Sequence, residues 1–163
     1  MTIPKKVSPA FYLFVIIFLG LFLRVWIAVN YYGTFDVNSW EKIFDHWRTG
    51  QSPYDAARRY SYSPIWFWVL SGVSRLNVFL KLPVHFAVKL PLILADVLTL
   101  FLLLKLATAL HQNARQRLGT AALFFLNPVS FLNTAYHGQF DNISYALVLL
   151  ACYFNYGSFK LMI

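Results

Sequence analysis

Charge is what this sequence has least of. Lys, Arg, Asp and Glu make up 12% of its 163 residues, and only six residues are acidic. A soluble domain carries about 25% charged residues. With 59% hydrophobic residues and a mean hydropathy of +0.56, the composition is that of a membrane protein. Cysteine is nearly absent too. Cys152 stands alone in an apolar run, so no disulfide can form within the chain and the redox compartment cannot be read. There is no Cys/His set with zinc spacing, no P-loop and no dinucleotide glycine pattern. His46, His85, His111 and His137 are scattered. Internal repeats and low-complexity segments are also missing.

The net charge is +8, but its positives are dispersed. Lys5 and Lys6 precede the first apolar run, and Arg115 and Arg117 fall between two later ones. That is how membrane spans are flanked, and it argues against nucleic-acid binding. The 19% of aromatic residues suits rings at membrane interfaces.

Apolar runs of span length predict an all-α membrane protein of about four transmembrane helices, at 10–30, 86–110, 118–135 and 142–158. The first resembles a signal peptide, but it is too long and no small-residue cleavage site follows. Lys5 and Lys6 put the N-terminus in the cytoplasm. An external loop over 31–85 carries two amphipathic surface helices. Val37, Trp40, Phe44 and Trp47 recur at helical spacing over 38–49, with Asn38 and Glu41 as a capping-box-like start and Gly50 as a stop. Ser63 and Pro64 start the other, over 64–80. Its apolar part is short and broken by Ser71, Gly72, Ser74, Arg75 and Asn77, which favours lying on the membrane over crossing it. If 64–82 did cross, there would be five spans and the later sides would invert. The basic connector "HQNARQR" favours four. The chain is then one multi-pass module, 1–163, in the plasma membrane of a prokaryote or the endoplasmic reticulum of a eukaryote.

Some polar residues need an account. Arg24 and Asp96 lie inside spans, at similar depth below the outer surface, and are expected to pair as a structural ion pair. Asp36, just beyond the first span, is either a helix-terminal carboxylate or a general base for a hydroxyl. Arg58 and Arg59, with Tyr54, Tyr60 and Tyr62, are interfacial anchors or a phosphate clamp. In "YHGQFDN", Gly138 suits a tight bend and Asp141 a helix cap, but a turn alone leaves Tyr136, His137 and Gln139 unexplained. Asn127-Pro128 is a kink within a span.

Taken in order, "FDVNSWEKIFDHWRTGQSPYDAARRYSYSPIWFWVL", "LPLILADVLTLFLLLKL" and "FFLNPVSFLNTAYHGQFDNISYALVLL" resemble the N-terminal part of GT-C-fold membrane glycosyltransferases. The sequence looks closest to bacterial and archaeal polyprenyl-phosphate-sugar transferases. It is also similar to the first mannosyltransferase of GPI-anchor synthesis, in its G-x-SPY and Y-x-Y-x-P stretches. The resemblance implies a hexosyl or mannosyl transferase working at the external or lumenal face, with a polyprenyl-phosphate-linked sugar as donor and a glycan, lipid or protein hydroxyl as acceptor. It implies that Asp36 is the catalytic acid of the first external loop. It further implies that Asn38, Arg58, Arg59, Tyr62, His137, Gln139 and Asp141 contact substrate. The family often carries Asp-x-Asp where this chain has Asp36-Val37-Asn38, so no divalent metal is firmly implied and a single base would serve an inverting transfer. Family members are several hundred residues long, so the chain reads as a truncated N-terminal part or as one half of a divided protein completed by a companion chain. The rival reading is a non-catalytic membrane protein, a transporter fragment or assembly subunit, in which Asp36 is a cap and the Arg24–Asp96 pair lines a pathway.

Overall fold

The computed structural model describes residues 8–49 and 63–161, and every regular element among them is helical. Helix α1 (Pro9–Asn30) is followed by α2 (Phe35–Thr49), α3 (Pro64–Leu80) and a single turn, α4 (Val84–Ala87). Then come α5 (Leu90–Ala109), α6 (Ala114–Phe125), α7 (Pro128–Leu132) continuing into a π-helical turn (Asn133–His137), and α8 (Asp141–Leu161). Two stretches are long and apolar enough to cross a membrane: Pro9–Asn30 and Val84–Ala109. A third follows if α6 and α7 with its π turn form one span bent by 41°. A fourth, over 142–158, is not among them.

The long helices lie in a row, α1 against α6, α6 against α5, and α5 against α8. On the outer flank of α1, Phe14, Phe18 and Phe22 are exposed and stack in sequence. An exposed aromatic ladder on an apolar helix suits lipid rather than water. The inner face is tight. A Cβ on Gly20 would sit 2.3 Å from Phe125 Cδ1 and 2.9 Å from its carbonyl oxygen, so only glycine lets α1 and α6 approach this closely.

The predicted kink at Asn127-Pro128 is a full break. Pro128 has no N–H to continue α6, and the Asn127 side chain caps the next helix by accepting from Val129 N at 3.0 Å. The second apolar stretch has a milder irregularity at Val88–Lys89, just ahead of Pro91, where both residues keep helical backbone angles and no side chain caps the next helix.

The segment between α1 and α5 leaves and re-enters the row at one end. His85 Nε2 lies 3.1 Å from the Val29 carbonyl, and Lys89 Nζ donates to the Tyr31 carbonyl at 2.8 Å. Within it, Ser63 accepts from Ile65 N and Pro64 opens α3, as the sequence predicts. Three of the polar residues that seemed to interrupt α3 point inward, while Arg75 is exposed. Ser71, Ser74 and Asn77 are buried, while Ile65, Trp68, Leu76 and Phe79 are exposed. Asn77 then turns the chain by holding both Leu82 N and Leu82 O.

Helix α2 differs from expectation in two respects. It starts at Phe35, so Asn38 is an exposed residue within the helix and not its cap. The local capping signal loses to a long-range bond, in which Thr34 Oγ1 donates to the His137 carbonyl at 2.9 Å. Its apolar stripe also faces protein rather than a bare membrane surface. Val37, Trp40, Ile43 and Phe44 are buried with Trp66, Leu70, Val88 and Leu92.

Gly20→Ala is expected to destabilise the protein by about 1–3 kcal/mol through overpacking against Phe125. Thermal unfolding in nanodiscs measures it, and an unchanged Tm would show that α1 and α6 can separate enough at Gly20 to admit a methyl group.

Candidate functional site: a turn clamped from below and met from above

The site is built on a charge pair in the middle of the helix row. Arg24 on α1 donates from Nε to Asp96 Oδ2 on α5 at 2.7 Å, and the two residues are 0% and 2% exposed. Burying such a pair costs several kcal/mol per ion unless the remaining donors and acceptors are also met. Here they are. Arg24 Nη1 donates to Phe125 O at 2.7 Å and to Gly20 O at 3.1 Å, and Nη2 donates to Ser130 Oγ at 2.8 Å. The Phe125 carbonyl is one that the Asn127-Pro128 break leaves without a helical partner. The guanidinium also lies over the Phe125 ring, 4.1 Å from its centroid.

Asp96 spends its other bonding capacity on the two ends of "YHGQFDN". Thr134 Oγ1, just before the turn, donates to Oδ2 at 2.7 Å. Asn142 Nδ2, its last residue, donates to Oδ1 at 3.1 Å and to the Leu92 carbonyl at 2.6 Å. One carboxylate therefore holds both ends of the turn.

The turn itself is a chain reversal of defined geometry. Gly138 has φ +72°, the left-handed conformation that favours glycine. Its N–H and that of Gln139 both reach the Asn133 carbonyl, closing the π turn. A Cβ on Gly138 would lie 2.8 Å from Val37 Cγ2, and one on Gly33 (φ +106°) 2.3 Å from the Tyr136 carbonyl. These two glycines let the turn seat against the start of α2. There Gln139 Nε2 donates to Asp36 Oδ2 at 2.9 Å. Phe140 stacks on Trp66 with ring centroids 5.7 Å apart and meets Trp40 edge-on at the same separation. Asp36 and Gln139 are 103 residues apart in sequence, and both are half-buried.

Other predicted residues lie elsewhere. Asp141 does not join Asp36. It is exposed and lines a polar cavity of about 400 Å³ with Asp96, Asn133, Thr134, Asn142 and Tyr145. Its place follows from the start of α8 at Asp141, which redirects the chain after Phe140. The His137 side chain is on the rim, exposed, with its ring edge-on to Tyr136. Arg58, Arg59 and Tyr62 lie outside the described residues. No group of three or more His, Cys, Asp or Glu side chains among the described residues forms a metal-ligand set.

Sequence reasoning missed several members of this network. Thr134 and Ser130 carry no motif. Lys89, fully buried against the Tyr31 carbonyl, carries no motif either. Tyr32 donates its hydroxyl to Glu41. Desolvation, and then that bond, push the Tyr32 phenol up to about 12. The spacing of Thr134 and Asn142 about the turn was the available signal, since both are hydrogen-bonding side chains at the ends of an apolar helix.

No protein-family model, curated protein or solved structure matches the chain.

Removing one member of the buried pair, as in Arg24→Met or Asp96→Leu, should cost about 3–5 kcal/mol of stability. The double variant should lose much less than the sum. Additive losses in a double-mutant cycle on unfolding would show that the two side chains act independently.

Proposed function

We propose that the chain is the N-terminal module of a multi-pass GT-C-type membrane glycosyltransferase. It would transfer a hexose from a polyprenyl-phosphate-linked sugar to an acceptor hydroxyl at the external membrane face. In this reading α8 is the fourth span, α2 and α3 lie in the external loop, and further spans come from a longer protein or a companion chain. The enzyme sits in the plasma membrane or the endoplasmic reticulum.

One observation carries the reading: the Asp36 carboxylate is held by the Gln139 amide of a turn that is itself anchored inside the helix row. A base must be oriented to within a few tenths of an ångström to be useful. Gln139 fixes one oxygen of Asp36, and Phe140 locks the turn into the Trp40–Trp66 aromatic cluster. The carboxylate takes the proton of the acceptor hydroxyl as the oxygen attacks the anomeric carbon. The bond from that carbon to the phosphate oxygen breaks, and the polyprenyl phosphate leaves with the electron pair. Attack opposite the leaving group inverts the anomeric configuration. Arg58 or Arg59 serves the phosphate in this scheme, as a guanidinium fork fits it. His137 lies near enough along the chain to contribute to the rim. A pathway role for Arg24 and Asp96 is poorly supported, because four of the five guanidinium N–H donors and both carboxylate oxygens are engaged within the protein.

In membranes containing the complete enzyme, Asp36→Asn should lower sugar transfer from a radiolabelled polyprenyl-phosphate sugar by at least about 100-fold, the scale of general-base catalysis. Gln139→Ala should give a smaller loss, with insertion unchanged for both. Full transfer by Asp36→Asn refutes the role.

A further inference from the structure

A pocket of about 260 Å³ opens at the end of the helix row opposite α2. It lies between the first turn of α1, at Pro9 and Ala10, the last turn of α5, at Thr108, and the start of α6, at Ala114 and Arg117. Arg117 is half-buried, and its guanidinium is almost unused. Nη1 reaches Thr108 Oγ1 only at 3.4 Å, beyond the usual range for an N–H···O bond. Nε is shut off from solvent and has no acceptor. No carboxylate among the described residues pairs with it. Arg24, by contrast, has four of its five N–H donors engaged.

The surroundings favour a negative charge at this point. No acidic residue occurs in α1, in α6 or in the connector between α5 and α6. The one on α5, Asp96, is about 18 Å from Thr108 along the helix, at about 1.5 Å per residue. Lys105 and Arg115 add exposed positive charge at the same end. The N-termini of α1 and α6, the positive ends of helices of 22 and 12 residues, both border the pocket. The capping box satisfies the N–H groups of Asn113 and Gln116 and leaves that of Ala114 unbonded. The negative end of α5 is neutralised, since the carbonyls of residues 106–109 accept from Leu110, Gln112, His111 and the Tyr156 hydroxyl.

We propose that this pocket holds a phosphate group, bound by the Arg117 guanidinium at the first turn of α6, and that its source is the headgroup of an anionic phospholipid. Phosphate oxygens accept from a guanidinium in pairs. The lipid source follows from the walls. Leu13, Leu104 and Leu118 line the same pocket, so the glycerol and acyl stem of a lipid meets apolar surface that a free ion cannot use. The positive-inside pattern predicts that this face is cytoplasmic, where anionic lipids give the membrane its negative surface potential. The site lies at the opposite end of the row from Asp36 and does not depend on the transferase reading.

Native mass spectrometry of the full chain, released from detergent with phosphatidylglycerol, tests the proposal. Phosphatidylglycerol adducts are expected on the unaltered chain. Arg117→Gln should weaken them about tenfold, the scale of one lost charge-assisted hydrogen bond. Ala10→Trp, a change at an exposed residue of the pocket that alters no charge, should weaken them similarly. Arg115→Gln removes a neighbouring exposed charge and should leave them nearly unchanged. Equal weakening by Arg115→Gln and Arg117→Gln marks a diffuse charge effect and overturns the proposal. Adducts retained in Ala10→Trp overturn it too, and that variant decides the matter if Arg117→Gln loses its helical circular dichroism. Inorganic phosphate is the second probe. Displacement of the lipid at millimolar concentration keeps the phosphate site but assigns it to the free ion. No displacement, with adducts lost in Arg117→Gln and Ala10→Trp, assigns it to the headgroup.

Discussion

Everything at the end of the helix row that carries α2 hangs on the bond between Arg24 and Asp96. An ionised side chain inside an apolar helix row is costly, and here bonds to four of the five guanidinium N–H groups and to both carboxylate oxygens offset that cost. Arg24 brings together three structural elements besides its own: Asp96 on α5, the Phe125 carbonyl ending α6, and Ser130 on α7. Two local features make room for it. Gly20 lets α1 close on Phe125, and the break at Asn127-Pro128 leaves a carbonyl that needs a donor. Helix packing and chain break are therefore parts of one arrangement, with the guanidinium at its centre.

From that centre, order is passed outward through Asp96. Its oxygens receive Thr134 and Asn142, so the intervening turn begins and ends on the same carboxylate. The turn cannot drift without breaking a buried, charge-assisted hydrogen bond, which is worth more than a neutral one. What it carries is then fixed in space. Gln139 meets Asp36, Phe140 enters the aromatic cluster of α2 and α3, and the His137 carbonyl accepts from Thr34. A structural ion pair and a candidate catalytic carboxylate thus belong to one continuous network, although no side chain is shared between them.

Part of this was legible in the sequence. Two lone charges at matching depth in apolar runs have few partners but each other, and the Arg24–Asp96 bond follows that logic. Ser63-Pro64 announced a helix start by chemistry confined to neighbouring residues. What local signals could not supply was the direction of side chains set by distant contacts. Asn38 and Glu41 look like a capping box, yet Thr34 is tied to residue 137 and the helix begins earlier. Val37, Trp40 and Phe44 of the predicted α2 stripe are buried, with the Trp47 side chain and Gly50 outside the described residues, but periodicity cannot say whether lipid or α3 covers the stripe. Ser71, Ser74 and Asn77 fall at intervals of three and line one face, which turns an apparently interrupted helix into one with a polar inner side. Gln139 and Asp141 are two residues apart but part company, because α8 starts between the turn and the cavity.

Amide hydrogen exchange of the turn tests the central claim most directly. The N–H groups of Gly138 and Gln139 are bonded to Asn133 only while the turn holds its shape. Replacing Asp96 by leucine, in protein that remains folded over α3, should speed exchange at both amides and at the start of α2 near Asp36, and leave α3 protected. Unchanged protection of Gly138 and Gln139 in that variant would contradict the account, since the turn would then keep its form without the carboxylate that clamps its ends.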